Sequence, residues 1–393
     1  MPEAFSLYLH LPYCARRCPY CDFNTYVVHS MPEQRYVEAV LREMAWASGE
    51  PSWQGRRIAT VFFGGGTPSL FSPQSIARIL AEADARFGFD EAPEITLEAN
   101  PGSLEGGGED KLRGFRAAGI NRVSFGAQSF QAKHLATLGR IHSAEETRGA
   151  FDAARRAGFD NLSCDLIFGV PGQTPDEWRE DLRTAVSLGS EHVSAYGLTY
   201  EEGTPMTGMR RAGLVTAVDE EDELTMFRAA GETFAEAGFR RYEVSNFARP
   251  GRESRHNLAY WTWRDYLGLG AGAHGFAAGD GSAGNAFARR WSNVRLPEAY
   301  MSAPEGAWAA TREDVSRSMA MAEFVMVGLR LADGVSKSRF RDVFGCTAAS
   351  QLPDLGALVA EGMVDDRPDA LALSAAGLEV ADAVIGRLAA GIA

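Results

Sequence analysis

The sequence lacks any uninterrupted apolar run of about 18 residues, so it offers no candidate membrane-spanning helix. Its start also lacks a basic segment and a small-residue cleavage site, running straight into Phe5-Ser6-Leu7-Tyr8-Leu9-His10. No signal peptide is expected, and a cytoplasmic location follows, with peripheral membrane contact left open. Positive charge is in deficit. With 39 Lys+Arg against 52 Asp+Glu, the formal charge of -13 argues against non-specific nucleic-acid binding, which depends on basic side chains neutralising phosphates. Cysteine is scarce too: there are 5, an odd number with three clustered, so they lay out no disulfide framework and suit a reducing compartment. Cys164 and Cys346 stand alone and read as small buried apolar residues. What is present is ordinary for a globular chain: 393 residues, 45% hydrophobic and 23% charged, enough for one large domain and a smaller one.

The three clustered thiols lie in Cys14-Ala15-Arg16-Arg17-Cys18-Pro19-Tyr20-Cys21, behind a short apolar strand. Thiolates are soft ligands for zinc or an iron-sulfur cluster, and this spacing lets Cys14, Cys18 and Cys21 meet one inorganic centre. A zinc site completed by His10 or His29 is one reading. The other is a cubane cluster with one iron left open to an outside ligand. With an aromatic residue, Tyr20, before the last cysteine, the C-x-x-x-C-x-x-C loop resembles the signature of the radical S-adenosylmethionine (SAM) superfamily. That resemblance implies a [4Fe-4S] cluster held by the three cysteines, with SAM on the open iron.

From residue 5 to about 245, short apolar runs alternate with helix-period stretches. Strands are expected at Leu7–Leu9, Ala59–Phe63, Glu94–Glu98, Arg122–Phe125, Leu162–Ile167, His192–Gly197 and Tyr242–Val244. Helices are expected at Pro32–Trp46, Pro73–Phe87, Ala144–Arg156, Pro175–Leu188 and Asp219–Ala237, several opened by proline. Such alternation specifies an α/β fold with a parallel sheet, whose ligands gather at the carboxyl ends of the strands. Small or polar residues do follow the strands. Gly64-Gly65-Gly66-Thr67 allows close backbone approach and leaves amide groups free; Glu98 puts a charge at the end of an apolar stretch; Gln128, Arg140 and Asp165 extend the pattern.

Tyr8, Tyr20, Gly65, Gly66, Thr67, Glu98, Gln128, Arg140 and Asp165, with Gly197 a looser match, resemble the SAM-contacting set of the oxygen-independent coproporphyrinogen III oxidase family. The resemblance runs from about residue 4 to 390 and implies an incomplete (β/α)6 radical SAM barrel. Two departures separate this chain from the oxidases. Phe23 stands where they carry a fourth cysteine, and Cys14 lies too near the start for their long N-terminal arm. Both departures resemble the HemW, or heme chaperone, branch. So does His256-Asn257-Leu258-Ala259-Tyr260-Trp261, which is similar to that branch's heme-associated H-N-x-x-Y-W string. His256 is then the candidate heme contact, flanked by aromatic faces, with His274 next in line; a hydrogen-bonded histidine under an aromatic cluster is the plainer alternative.

Gly268-Leu269-Gly270-Ala271-Gly272-Ala273 matches a dinucleotide fingerprint by letters only. Trp261 to Tyr266 gives no clear strand before it, a loop over Gly275 to Gly284 is expected after it, and close backbone approach beneath a ligand is the better reading. Past Gly306 the pattern turns helical, with helices at Arg317–Leu331, Lys337–Phe344 and Ala348–Glu361, a hairpin of Gly362–Val364 with Ala370–Leu373, and a last helix from Ser374. That outline is winged-helix-like. Residues 311–393 nonetheless hold 8 Lys+Arg against 12 Asp+Glu, which favours a lid or docking module over DNA binding. The expected organisation is a partial barrel over 1–250, a connecting segment over 251–305 and a small C-terminal domain over 306–393. The expected function is a heme chaperone holding a [4Fe-4S] cluster, SAM and heme and passing heme to acceptor apoproteins. The oxidase itself and a zinc-stabilised binding domain are the alternatives.

Overall fold

The computed structural model describes residues 3–104, 108–279 and 286–392. Six strands, β1 (Phe5–Leu11), β2 (Ile58–Gly65), β3 (Phe89–Ala99), β4 (Arg122–Gln128), β5 (Leu162–Phe168) and β6 (His192–Gly197), lie side by side in that order, each parallel to the next. Most of their residues are buried, as expected of parallel strands covered on both faces. The helices start where the sequence supplies caps. Ser72 caps Pro73–Phe87, Ser143 with Glu146 and Thr174 with Glu177 form capping boxes, and Asp219 caps Glu220–Glu236. An additional helix, Gly108–Ala118, follows β3; only Leu112 and Phe115 are buried on it, too thin an apolar stripe to announce itself.

The expected seventh strand is not there. Tyr242–Val244 leaves the sheet to bond with the C-terminal module, through Val244 N–H to Arg330 O (3.1 Å) and Ala332 N–H to Tyr242 O (3.0 Å). The strand beside β6 is instead Asn246–Ala248, and it runs antiparallel. Residues 251–305 are likewise more than a connector. Tyr266–Leu269 pairs parallel with β1, and His274–Ala278, Ala288–Asn293 and Ala309–Val315 continue the sheet antiparallel. The expected loop over Gly275 to Gly284 therefore begins as a strand, while residues 280–284 lie outside the described residues. A strand does precede the glycine run, but no helix follows it, so the dinucleotide fingerprint stays unmet. The run is needed for close approach: a Cβ on Gly270 would stand 2.5 Å from His10 O, and one on Gly272 2.5 Å from Asn24 Nδ2.

The C-terminal module has its own core, including Phe324, Phe340, Phe344, Leu358 and Leu371, and that core continues onto Trp263 and Phe276 of the extended sheet. Its expected hairpin gains a third strand, Val335–Ser336. Its third helix shrinks to Leu355–Ala360 behind Pro353, and the last divides into Ala375–Glu379 and Ala381–Ala390. Cys164 is buried as expected, whereas Cys346 is partly exposed.

Candidate cluster and cosubstrate site

At the carboxyl ends of the parallel strands lies a cavity of about 480 Å³ whose wall includes Cys14, Cys18 and Cys21. The cysteine loop is pinned from several sides. Thr67 N–H donates to Tyr13 O (2.9 Å), Met206 N–H donates to Pro19 O (2.9 Å), and Cys21 N–H donates to Cys18 O (3.2 Å). The glycine turn after β2 presses directly on it, since a Cβ on Gly66 would fall 2.6 Å from Tyr13 O and 2.7 Å from Pro12 C. Gly65, at φ 111°, could carry no side chain either, because the His10 ring fills that space. On the far side Gly139, at φ 67°, packs against Pro19, where a Cβ would meet Cδ at 2.6 Å.

Polar groups aim at the thiols. Thr67 Oγ1 lies 3.6 Å from Cys14 Sγ, and Arg140 Nη1 lies 3.6 Å from Cys18 Sγ while its Nη2 donates to Gly126 O at 2.8 Å. Arg140 Nε is buried without a hydrogen-bond partner among the described residues. Burial pushes the Cys14 thiol up to about 11 and the Cys21 thiol upward, so as free thiols both hold their protons. Among the described residues no three His, Cys, Asp or Glu side chains stand close enough to hold a single metal ion, the cysteine loop included. The three thiols border a shared opening instead.

Deeper in the cavity sit Glu98 and Asp165. Burial, with the Asp165 charge nearby, pushes Glu98 up to about 8, although Gly65 N–H donates to its Oε2 at 3.3 Å. Asp165 is raised by burial and drawn back by hydroxyls: Ser194 donates at 2.8 Å, Ser124 at 2.9 and 3.0 Å, and Ser163 at 3.2 Å. Gln128 takes φ 66° at a register shift between β4 and β5, a bulge that re-aims the strand end. Tyr20 lines the same space and packs against Leu138, Ile167, Val170 and Leu198. Gly65, Gly66, Thr67, Arg140 and Gly197 complete the set, so one cavity gathers every expected cluster and SAM residue except Tyr8.

Tyr8 borders a neighbouring cavity of about 900 Å³, which shares Asp22, Phe23, Gly65 and Glu98 with the first. The Tyr8 hydroxyl meets His10 Nδ1 (3.1 Å), and His10 Nε2 meets Asn24 O (2.9 Å). His256 does not reach either cavity. It is 1% exposed, with Nδ1 2.7 Å from Thr60 Oγ1 and Nε2 2.9 Å from the Tyr260 hydroxyl. Thr60 donates its own proton to Ser6 Oγ, so Nδ1–H donates to Thr60 and Tyr260 occupies the Nε2 lone pair. Burial lowers His256 to about 3, keeping it neutral. The expected heme contact at His256 therefore lies outside the walls of both cavities. His256 docks helix Arg255–Trp261 onto β2, stacked on Phe62, while the Glu94 carboxylate accepts from the first two helical N–H groups at 3.0 Å. Tyr260 and Trp261 of the same string do line the larger cavity.

The serine cage around Asp165 escaped sequence reasoning. Its signal lay in the register, where Ser124 pairs with Ser163 and Asp165 with Ser194 across three strands.

A parallel partial barrel with three loop cysteines facing strand-end carboxylates defines a radical SAM fold. The radical SAM superfamily model matches residues 8–185, and the HemN C-terminal domain model matches residues 315–380. Heme chaperone HemW of Haemophilus influenzae is 37% identical over 351 residues, covering 88% of this chain and 87% of that protein. Heme chaperone HemW of Bacillus subtilis is 34% identical, covering 97% and 98%. The chain belongs to the HemW family. Among solved structures, coproporphyrinogen III oxidase (HemN) from Escherichia coli superposes with a TM-score of 0.81 at 22% identity, covering 100% of this chain and 91% of that one, a likeness of fold.

Proposed function

We propose that this chain binds a [4Fe-4S] cluster through Cys14, Cys18 and Cys21, binds SAM beside it, and takes up heme for delivery to acceptor apoproteins without oxidising a porphyrinogen. The observation that carries the reading is the shared cavity, in which the three thiols face Glu98, Gln128, Arg140 and Asp165. The donor set fits the group. Thiolates suit iron, a cluster spaces its ligands more widely than a single ion does, and the orphaned Arg140 Nε offers a donor beside Cys18. A bound cluster supplies one-electron chemistry and an open iron position. The protein's own share is binding and orientation. Thr67 and Arg140 direct donors at two cysteine sulfurs, and the Gly65–Gly66 turn leaves room for a cosubstrate. Glu98, its carboxyl raised by burial, would accept a hydrogen bond from the amino group of SAM, and Tyr20 covers one wall.

The chaperone reading is favoured over the oxidase by Phe23. It stands where the oxidases carry a fourth cysteine and is 66% exposed, bordering both cavities. The relatives named heme chaperone match nearly end to end. Anaerobic reconstitution tests the cluster: about four irons with sulfide per chain are expected, lost on Cys18→Ala. Stoichiometric zinc without sulfide would sink the reading.

A further inference from the structure

The larger cavity asks for an occupant that the cluster and SAM do not explain. Its floor is the extended sheet, where residues two apart share a face: Tyr266 stands opposite Phe276, Phe276 opposite Arg290, and His274 opposite Ser292. Tyr260 and Trp261 come in from helix Arg255–Trp261, and Met326, 44% exposed, comes from helix Arg317–Gly328 of the C-terminal module. These aromatic and sulfur-bearing walls suit a flat, polarisable ring. About 900 Å³ places the space at the upper end of organic-cofactor sites.

Two polar groups in it are unspent. His274 is exposed to the cavity, and neither of its ring nitrogens has a hydrogen-bond partner among the described residues. The other imidazole there, His10, has both nitrogens engaged by Tyr8 and Asn24. Arg290 is held by Glu313 and Glu323, whereas the Arg295 guanidinium has no carboxylate partner among the described residues and donates to Asn24 Oδ1 at 3.4 Å. A free imidazole, a guanidinium without a carboxylate partner and aromatic walls are the recognition elements for an iron porphyrin with carboxylate side chains.

Resting on the heme-handling reading above, we infer that the larger cavity is the heme seat, with the His274 imidazole as the iron ligand and Arg295 as partner to a propionate. His256 shapes the seat only by holding Tyr260. One imidazole and one exposed cation make few contacts, and a wall formed by the separate C-terminal module gives heme a way out, which suits a carrier that must let go. The shared border at Phe23 and Glu98 sets the seat next to the cluster cavity, so occupancy of one can be felt in the other.

The test is hemin titration of the anaerobically reconstituted full chain, followed by absorption and electron paramagnetic resonance. Wild type is expected to saturate near one hemin per chain with a histidine-ligated spectrum. His274→Ala should lose that spectrum and weaken binding about tenfold or more, and added imidazole should restore the spectrum. Arg295→Gln should weaken binding while leaving the spectrum alone. Circular dichroism and iron content, unchanged in both variants, separate a lost ligand from a lost fold. If His274→Ala keeps the wild-type spectrum, the ligand assignment is overturned while the heme-handling reading stands. If wild type itself takes up no hemin saturably, both fall.

Discussion

A histidine in a recognisable string can be a ligand or a strut, and the hydrogen-bond inventory decides which. His256 has Thr60 on one nitrogen and Tyr260 on the other, so removing it takes a hydrogen bond from each hydroxyl, leaves Thr60 only its bond to Ser6, and opens a cavity beside Phe62. His256→Ala should therefore cost about 2–4 kcal/mol of unfolding free energy, readable by chemical denaturation. A fully stable variant with an altered heme spectrum would contradict the strut. On the proposed reading, Glu98 is the residue whose loss tells cosubstrate binding from cluster binding. Glu98→Ala should weaken SAM binding about tenfold or more, by loss of a hydrogen bond to a charged group, with iron content unchanged. Equilibrium dialysis with SAM, beside an iron assay, reads both. The sequence shows Glu98 as a charge in an apolar stretch and His256 as part of a recognisable string, but the partners that fix their roles lie more than 30 residues away for Glu98 and nearly 200 away for His256–Thr60.

The elements were legible where local chemistry writes them. Pro73–Phe87 and Ala144–Arg156 begin and end as their caps and apolar spacing dictate, and β6 runs over His192–Gly197 as expected. Legibility failed where a segment's partner is remote. Tyr242–Val244 has strand-like residues, yet Val244 N–H and Tyr242 O bond with Arg330 and Ala332, and the extension beyond Tyr266 depends on pairing with β1 over 250 residues earlier. The glycine turn after β2 shows the same limit. Read alone, Gly66 belongs to the cosubstrate loop. In the fold it packs against the backbone just before Cys14. Gly66→Val should lower iron content as well as SAM binding, because the branched side chain can fit only by moving the cysteine loop. Full iron loading in that variant would show that the two loops are independent.

At the scale of the whole molecule, Glu43 fastens the first helix to the sheet extension. Its carboxylate accepts from the Tyr300 hydroxyl (2.6 Å), Asn293 Nδ2 (2.6 Å) and Gly270 N–H (2.9 Å). Burial raises it from 4.5 to about 7, so in that interval the folded chain keeps a proton that the unfolded chain has released. Stability from this group is fully present below about pH 4.5 and falls as pH rises toward 7. The parent's stability relative to Glu43→Gln should thus be smaller at about pH 7.5 than at about pH 5, measured by urea unfolding. A margin that grows with pH would contradict the raised carboxyl.

No described helix is long and apolar enough to cross a membrane; the cysteine-lined cavity lies within the barrel, and the larger one opens where the barrel, the sheet extension and the C-terminal module meet. On the function proposed above, heme is held beside a cluster and no porphyrinogen is decarboxylated. The most direct test supplies one anaerobic sample of cluster-loaded protein with SAM, a reductant, heme-charged binding sites and an acceptor apoprotein, with coproporphyrinogen III in a parallel incubation. The account predicts heme appearing in the acceptor and coproporphyrinogen III recovered unchanged. Harderoporphyrinogen or protoporphyrinogen in the parallel incubation, with no heme transferred, would contradict it.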